Sequence, residues 1–290
     1  RGNPGHFALA ESAFLLSIQA PIVRVLTNGA MPPVQIINLS SIIGASILFI
    51  LLYYKKKTYL IIKTKTIKLH ILRAMLEYFA WYLSFSSLLY LQIPIHTALG
   101  FCVPIMTSII ATILLKEKTN YHTWLALAIG ILGMIIIVKP ESFDLESGNN
   151  QLIGSMMMLI ATFCFATCGI LIKKMANHGE KSYIISFYMV MLMSIFSLPL
   201  SIYHWHDLNI ENIIFTILLA LAFIGQQLSV SQAFIKAKLT ILMPLTFTTL
   251  IPSALIAYVF FNELITIKTI IGVCFIIFGA LYSIKYKAVH

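Results

Sequence analysis

The sequence predicts an all-α polytopic membrane protein of ten transmembrane helices, arranged as two inverted five-helix repeats. Three observations predict it: the composition, the length of the apolar runs, and a segment that occurs twice. Of the 290 residues, 59% are hydrophobic and 10% are charged, whereas a soluble domain carries about 25% charged residues. Lipid accepts only helices or closed barrels, and barrel strands would be roughly 10-residue alternating segments. The apolar runs instead last about 20 residues, the length of a bilayer-spanning helix.

The repeated segment covers 99–139 and again 245–285, without a gap. Each copy is an apolar run, a glutamate at its end, and a second apolar run with an inner glycine. Chance matches are common in so apolar a chain, but they do not readily align these residue types together. The informative matches are Glu117 with Glu263, Gly133 with Gly279, and Lys139 with Lys285. The pattern predicts an internal duplication of membrane hairpins.

Ten spans fit the apolar runs, with mostly short loops that favour antiparallel neighbours. They cover about 8–27, 34–54, 68–91, 95–115, 122–138, 152–173, 183–203, 212–235, 240–261 and 266–284. We expect the repeats to be residues 1–145 and 146–290. Five spans per half is an odd number, so the two copies face opposite ways in the bilayer. Such a bundle can open to either side of a central site, as alternating-access carriers do.

Lysine and arginine positions predict that both termini are cytoplasmic. With that orientation, the basic residues on the outer side are only Arg24, Lys139 and Lys268. The lysines of the other connections and of the tail lie on the inner side. The net charge of +10 therefore follows the membrane and does not indicate nucleic-acid binding. Arg24 and Lys173 also occupy matching places in the first span of each half.

We expect no cofactor and no metal. The four cysteines lie inside apolar runs, without a surrounding ligand set, and the run from His204 to Asp207 lies alone in an outer loop. A Gly-rich phosphate loop is missing, which argues against ATP as the energy source. The opening residues RGNPGHF show no cleavable signal peptide and lack an initiator methionine, so we expect a processed or introduced start.

Span three is the most polar helix for its depth. Glu77 lies about nine residues, on the order of 14 Å, into the membrane, where a carboxylate is costly. Arg73 is one turn earlier on the same face. Two interpretations stay open: Glu77 binds a cationic substrate group or a proton, or Arg73 and Glu77 form a structural pair. Glu117 and Glu263, at helix ends, are expected to be structural caps.

The same helix carries the aromatic residues Tyr78, Trp81 and Tyr82. Aromatic faces bind cations and stack on nucleobases, whereas ordinary packing is the alternative for any one ring. Span eight supplies polar side chains that need partners in lipid, Gln226, Gln227 and Ser231. Further candidates for a central binding site are Gln19 in span one, Phe101 in span four, and the hydroxyl residues Thr107, Ser108 and Thr112.

The segment LRAMLEYFAWYLSFSSLLYLQIPIHTALGFCVPIMTSIIATILLKEK, followed by WLALAIGILGMIIIVKP, resembles the EamA type of the drug/metabolite transporter superfamily. The resemblance extends over nearly the whole chain and implies a ten-helix carrier. Within that family the first half is similar to bacterial carriers for S-adenosylmethionine and amino-acid-type metabolites. One departure is that the second copy has Pro244 and Pro252, where the first has only Pro104 at a shifted place.

Together these observations predict a secondary carrier, not an enzyme, for a small polar organic metabolite, with S-adenosylmethionine as the best candidate. An amino-acid or drug exporter is the alternative within the class, and an intramembrane enzyme or a channel is the distant one. The predicted partners are the small-molecule substrate and membrane lipid, without nucleic acid, in a monomer or weak dimer. The predicted location is a bacterial inner membrane.

Overall fold

The structure, a computed structural model, describes residues 4–56, 64–91, 96, 99–100, 102–116, 121–137, 148–249 and 267–285. The helices are α1 Pro4–Asn28, α2 Pro33–Tyr54, α3 Ile67–Ser87, α4 Cys102–Leu114, α5 Tyr121–Ile137, α6 Gly148–Asn177, α7 Ser182–Tyr203, α8 Ile210–Lys236, α9 Leu239–Leu242 and α10 Ile267–Lys285, and a 3₁₀ helix covers Met243–Thr249 after α9. Within the described ranges every regular element is a helix, as the composition predicts.

Within the part of the chain that the structure describes, five helices are long and apolar enough to cross a membrane, namely α1, α2, α6, α7 and α8. Helix α3 is 21 residues long, but Lys68, Arg73 and Glu77 lower its hydropathy. Helices α4, α5 and α10 are apolar but shorter along their described parts. The predicted all-α polytopic membrane fold is confirmed.

The ninth predicted span differs from a regular α-helix where it is described. Helix α9 is only 4 residues long and passes into the 3₁₀ helix that contains Pro244. Proline has no backbone N–H, so the α-helical bond from position 244 to residue 240 cannot form. The remainder of that predicted span, with Pro252, lies outside the described residues, as do Glu263, Phe101 and Glu117.

The inverted relation of the two halves is visible in helix directions. Helices α1 and α8 are antiparallel: a Cβ built on Gly225 would lie 2.7 Å from Leu15, and one on Gly29 would lie 3.3 Å from Asn212. Helices α3 and α6 are also antiparallel, because Trp81 packs on Phe165 while Tyr90 lies against Gly154. The first helix of each half thus lies against the third helix of the other half.

A positively charged side chain caps the end of the third helix in each half. Arg24 Nη1 of α1 donates to the carbonyl of Leu88, just after α3. Lys173 Nζ of α6 donates to the carbonyls of Phe234 and Ala237 at the end of α8, at 2.9 and 2.7 Å. Carbonyls at a helix carboxyl end carry partial negative charge, so a cation stabilises both ends. The sequence match between Arg24 and Lys173 therefore has a structural counterpart.

The last helices of the two halves, α5 and α10, pack closely at glycine. A Cβ added to Gly279 would lie 3.1 Å from the backbone oxygen of Ala126 and 3.4 Å from the backbone nitrogen of Gly130. A larger residue would push the helices apart, because backbone cannot move aside as a flexible side chain can. The glycine that recurs in both copies of the repeated segment thus allows close helix contact.

Candidate functional site

Helix α3 turns its polar residues into the protein. Its buried residues include Arg73, Glu77, Trp81 and Ser84, which recur every three to four positions, the spacing of one helical face. Apolar side chains such as Met75, 54% exposed, occupy the opposite face. The sequence therefore places the most polar stripe of α3 against α6, α7 and α8 and its apolar stripe toward lipid.

Arg73, Glu77 and Gln227 form a closed triangle between α3 and α8. Arg73 Nε lies 3.0 Å from Glu77 Oε2, and Arg73 Nη2 donates to Gln227 Oε1 at 2.9 Å. Gln227 Nε2 donates to Glu77 Oε1 at 2.8 Å. The three residues are between 1% and 5% exposed. The triangle contains one positive and one negative charge, so its sum is neutral.

Helix α7 adds further partners to this triangle. Arg73 Nη1 donates to the carbonyl of Ile185 at 3.1 Å. Ser186 Oγ donates to the carbonyl of Gln227 at 3.0 Å and lies 3.3 Å from Ser231 Oγ. The polar centre thus joins α3 of the first half to α7 and α8 of the second half.

These contacts fit the interpretation of Arg73 and Glu77 as a structural pair. Breaking a buried pair by removing one partner costs about 3–5 kcal/mol, because the other charge stays uncompensated. A substrate cation would reach Glu77 only by displacing Arg73 or Gln227 from it. In this conformation Glu77 and Gln227 are therefore part of the contact between the halves.

Trp81 lies at the centre of an aromatic cluster one turn from Glu77 along α3. Its ring centroid is 5.2 Å from that of Phe85, 5.0 Å from Phe165 and 5.3 Å from Phe223, all in edge-to-face arrangements. The residue is 6% exposed. Its indole Nε1 has no hydrogen-bond acceptor among the described residues, which is unusual for a buried tryptophan.

Tyr78 and Tyr82 lie beside this cluster and are half-buried. Their ring centroids are 6.4 Å apart. Both pack against the largest apolar core of the protein, which also includes Trp81. Packing of this kind agrees with the alternative that sequence reasoning kept for single aromatic residues.

Gln19 and Gln226 are buried amides with unused hydrogen-bonding atoms. Gln19 is 1% exposed, and over the described part of the chain neither its Oε1 nor its Nε2 has a partner. Gln226 is 8% exposed, and its Oε1 likewise has no partner there. Leaving a buried polar group unpaired costs about 1–3 kcal/mol, so these amides are candidates for binding a ligand.

These unpaired groups lie at one level of the helix bundle. Leu15 of α1 contacts Gly225 of α8, and Gln19 follows Leu15 by one helical turn. Trp81 packs on Phe223, two residues from Gly225. Because α1 and α8 are antiparallel, Gln19 is level with the part of α8 near Phe223. Gln19, Trp81 and Gln226, here called the amide layer, therefore lie within about two helical turns of one another along α8.

The other predicted residues are distributed around this centre. Ser231 is buried and bound to Ser186, as described above, while Phe101 lies outside the described residues. On α4, Thr107 and Ser108 are buried and Thr112 donates to the carbonyl of Ser108 at 2.8 Å. The structure thus brings Glu77, Gln227 and Ser231 into one polar network, and Trp81 lies one helical turn from Glu77 on α3.

Sequence reasoning missed a second polar contact between the halves. Thr64 and Thr66 before α3 both donate to Glu180 Oε1, Thr66 at 2.9 Å. His70 Nε2 lies 3.8 Å from the same oxygen, and its ring stacks on Tyr188 at 4.5 Å. His70 precedes Arg73 by three residues on the buried face of α3, which was the one available signal.

The chain is similar to known membrane transporters over most of its length. The model of the EamA-like transporter family matches residues 3–139 and 152–284. An S-adenosylmethionine uptake transporter of Rickettsia prowazekii (strain Madrid E) is 26% identical over 234 residues, which is 80% of this chain and 76% of the relative. A riboflavin transporter of Vibrio cholerae serotype O1 is 25% identical over 154 residues, 52% of this chain and 49% of the relative.

One solved crystal structure matches the whole architecture. It superposes with a TM-score of 0.78 and 13% sequence identity, and it covers 97% of this chain and 95% of its own. At this identity the likeness shows the fold alone. The two family matches correspond to the two halves whose helices run in opposite directions. The chain belongs to the EamA-like transporter family of the drug/metabolite transporter superfamily, and it is a transporter of small metabolites, not an enzyme.

Proposed function

We propose that the chain is a secondary carrier that moves S-adenosylmethionine, or a close chemical relative, across a bacterial inner membrane by alternating access. The observation that carries the proposal is the buried polar centre between the third helices of two inverted halves. Such a centre is expensive in lipid and is usually functional. Rocking of the halves about it would expose a central site to each side in turn.

The named relatives support the choice of substrate. S-adenosylmethionine and riboflavin differ in charge, but each contains a fused nitrogen heteroaromatic ring attached to a polyhydroxylated carbon chain or ring. An amino-acid exporter, the alternative in the same class, would not need to accommodate such a ring. Of the residues expected from the sequence, the proposed substrate contacts are Gln19, Tyr78, Trp81, Tyr82, Phe101, Gln226 and Ser231. The other two, Glu77 and Gln227, would hold the halves together beside the substrate.

We further propose that both termini are cytoplasmic, because the inner connections would then hold most of the lysines. In that orientation, Arg24 caps α3 at the outer face and Lys173 caps α8 at the inner face. Fusing a reporter that is active only in the cytoplasm to either terminus tests this topology. Activity in both fusions is expected, and its absence from either one would contradict the orientation.

The transport proposal is tested by uptake of labelled S-adenosylmethionine into proteoliposomes, with and without unlabelled S-adenosylhomocysteine trapped inside. A carrier should show saturable uptake that the trapped compound stimulates, whereas a channel would not show counterflow. Glu77→Gln should lose this uptake, because the uncompensated charge of Arg73 disrupts the contact between the halves. Absence of uptake above empty vesicles would remove the substrate assignment and leave the family assignment intact.

A further inference from the structure

We infer that the amide layer of Gln19, Trp81 and Gln226 binds the planar nitrogen heteroaromatic ring of the substrate through uncharged hydrogen bonds. The inference rests on the proposed function, because it assigns one part of the substrate to one part of the central site. Neutral side chains bind the ring, while Arg73 and Glu77 remain paired with each other and do not contact it. Selectivity then depends on the ring more than on the charge of the ligand.

The amide layer has four buried hydrogen-bonding atoms without a partner among the described residues. Gln19 contributes a donor and an acceptor, Gln226 an acceptor and Trp81 a donor, each on a residue at least nine-tenths buried. Buried polar atoms almost always have partners. Four such atoms on three residues at one level of the helix bundle are therefore available to a ligand that supplies both donors and acceptors.

The amide layer carries no net charge. Its three side chains are uncharged, and the adjacent Arg73 and Glu77 are held to each other and to Gln227. A charged group moved into this layer would lose hydration without gaining an opposite free charge, which is strongly unfavourable. A neutral group with hydrogen-bonding edges has no such penalty.

The surroundings of Trp81 in the amide layer are aromatic and apolar. The aromatic side chains Phe85, Phe165 and Phe223 pack around Trp81, with centroid distances of 5.0 to 5.3 Å. Ligand sites commonly combine apolar walls with a few placed polar groups. A carboxamide presents a donor and an acceptor side by side, the arrangement that matches the N6 and N7 edge of adenine. A flat ring with such an edge meets both requirements.

Competition against labelled S-adenosylmethionine uptake by the full chain in proteoliposomes tests the inference. Adenosine carries the ring without charge, and methionine carries the charged end without the ring. We expect adenosine to inhibit uptake, and methionine at equal concentration to have little effect. Inhibition by methionine but not by adenosine would overturn the inference while leaving transport established.

Gln19→Leu should weaken inhibition by adenosine by roughly tenfold, because two hydrogen bonds to the ring are lost. Trp81→Phe, which keeps an aromatic ring but removes the indole N–H, should weaken it by about threefold. Gln232→Leu is the matched control, since Gln232 is exposed on the same helix as Gln226 and should leave the inhibition unchanged. Equal inhibition in wild type and in both site variants would overturn the assignment of these residues.

A binding measurement separates failure of this inference from failure of the proposed function. Adenosine should raise the unfolding temperature of the purified wild-type protein in detergent, and Gln19→Leu should reduce that shift. This pattern without any S-adenosylmethionine uptake would support ring binding and reject the substrate. The absence of a shift in wild-type protein would reject ring binding even if uptake is measured. Should Gln19→Leu fail to fold, Gln226→Leu provides the same comparison.

Discussion

Two glutamines of this transporter are equally buried but differ in their hydrogen bonding. Gln227 and Gln19 are each 1% exposed. Gln227 bonds to Arg73 and Glu77 through both ends of its amide, whereas Gln19 has no partner in the described structure for either end. A buried polar residue in a membrane helix can therefore hold the halves together or remain available to a ligand. Substitution by leucine should therefore lower stability at Gln227 and raise it at Gln19.

The largest effect is expected at the ion pair. Glu77→Gln leaves the charge of Arg73 uncompensated in the membrane centre and should destabilise the protein by about 3–5 kcal/mol. Thermal unfolding in detergent measures this loss. The double variant Arg73→Gln with Glu77→Gln is the control, because it removes both charges and should recover most of the stability. A double variant as unstable as the single one would contradict a mainly electrostatic role for the pair.

A smaller loss is expected for Gln227→Leu. The substitution removes the hydrogen bonds from Gln227 to Arg73 and Glu77, and the total loss should be about 1.5–3 kcal/mol, that of one hydrogen bond to a charged group. Arg73 and Glu77 keep their direct contact, so the loss should be less than that of Glu77→Gln. Chemical unfolding of the two variants under the same conditions gives the ranking. If Gln227→Leu is the less stable of the two variants, the hydrogen bonds of Gln227 contribute more to stability than the Arg73–Glu77 ion pair, contrary to this prediction.

The opposite sign is expected for Gln19→Leu. Leucine has a similar size and leaves no unpaired polar atom, so unfolding should become harder by about 1 kcal/mol. Uptake of S-adenosylmethionine should nevertheless fall, since the amide is unavailable to the substrate. A stabilised protein with normal uptake would show that Gln19 is a buried defect without a role in binding.

The smallest effect is expected at the helix caps. Lys173→Gln removes a cation from the carboxyl end of α8 and should cost about 0.3–1 kcal/mol. Arg24→Gln should cost a similar amount at the equivalent end of α3, because the two contacts are related by the inverted repeat. Unfolding temperatures of both variants test this equivalence. A clear loss from only one of them would show that the two halves are capped unequally.

Much of the fold follows from the sequence because lipid leaves few alternatives. Apolar length, the repeated segment and an odd number of spans per half predict inverted helical repeats without any knowledge of contacts. Local deviations from regular helix are harder to predict. Pro244 shows in the sequence that an α-helical hydrogen bond is lost, but not that a 3₁₀ helix forms there.

The candidate site is less accessible to sequence reasoning. Glu77 and Arg73 share a helix, so their pairing was one of two open interpretations. Their joint contact with Gln227 lies 150 residues away in the chain, and no local pattern specifies it. Gln19 and Gln227 look alike in sequence as polar residues within apolar runs. Only the packing of α1, α3 and α8 distinguishes the bound amide from the unbound one.

The most direct test compares S-adenosylmethionine binding by Gln19→Leu and by the Arg73→Gln, Glu77→Gln double variant. The measurement is the rise in unfolding temperature that S-adenosylmethionine, at a concentration near the wild-type dissociation constant, produces in each purified protein. The account predicts that the double variant keeps most of the wild-type rise, whereas Gln19→Leu loses most of it. Loss in the double variant with retention in Gln19→Leu would show that the substrate binds the charged pair, and would contradict the account.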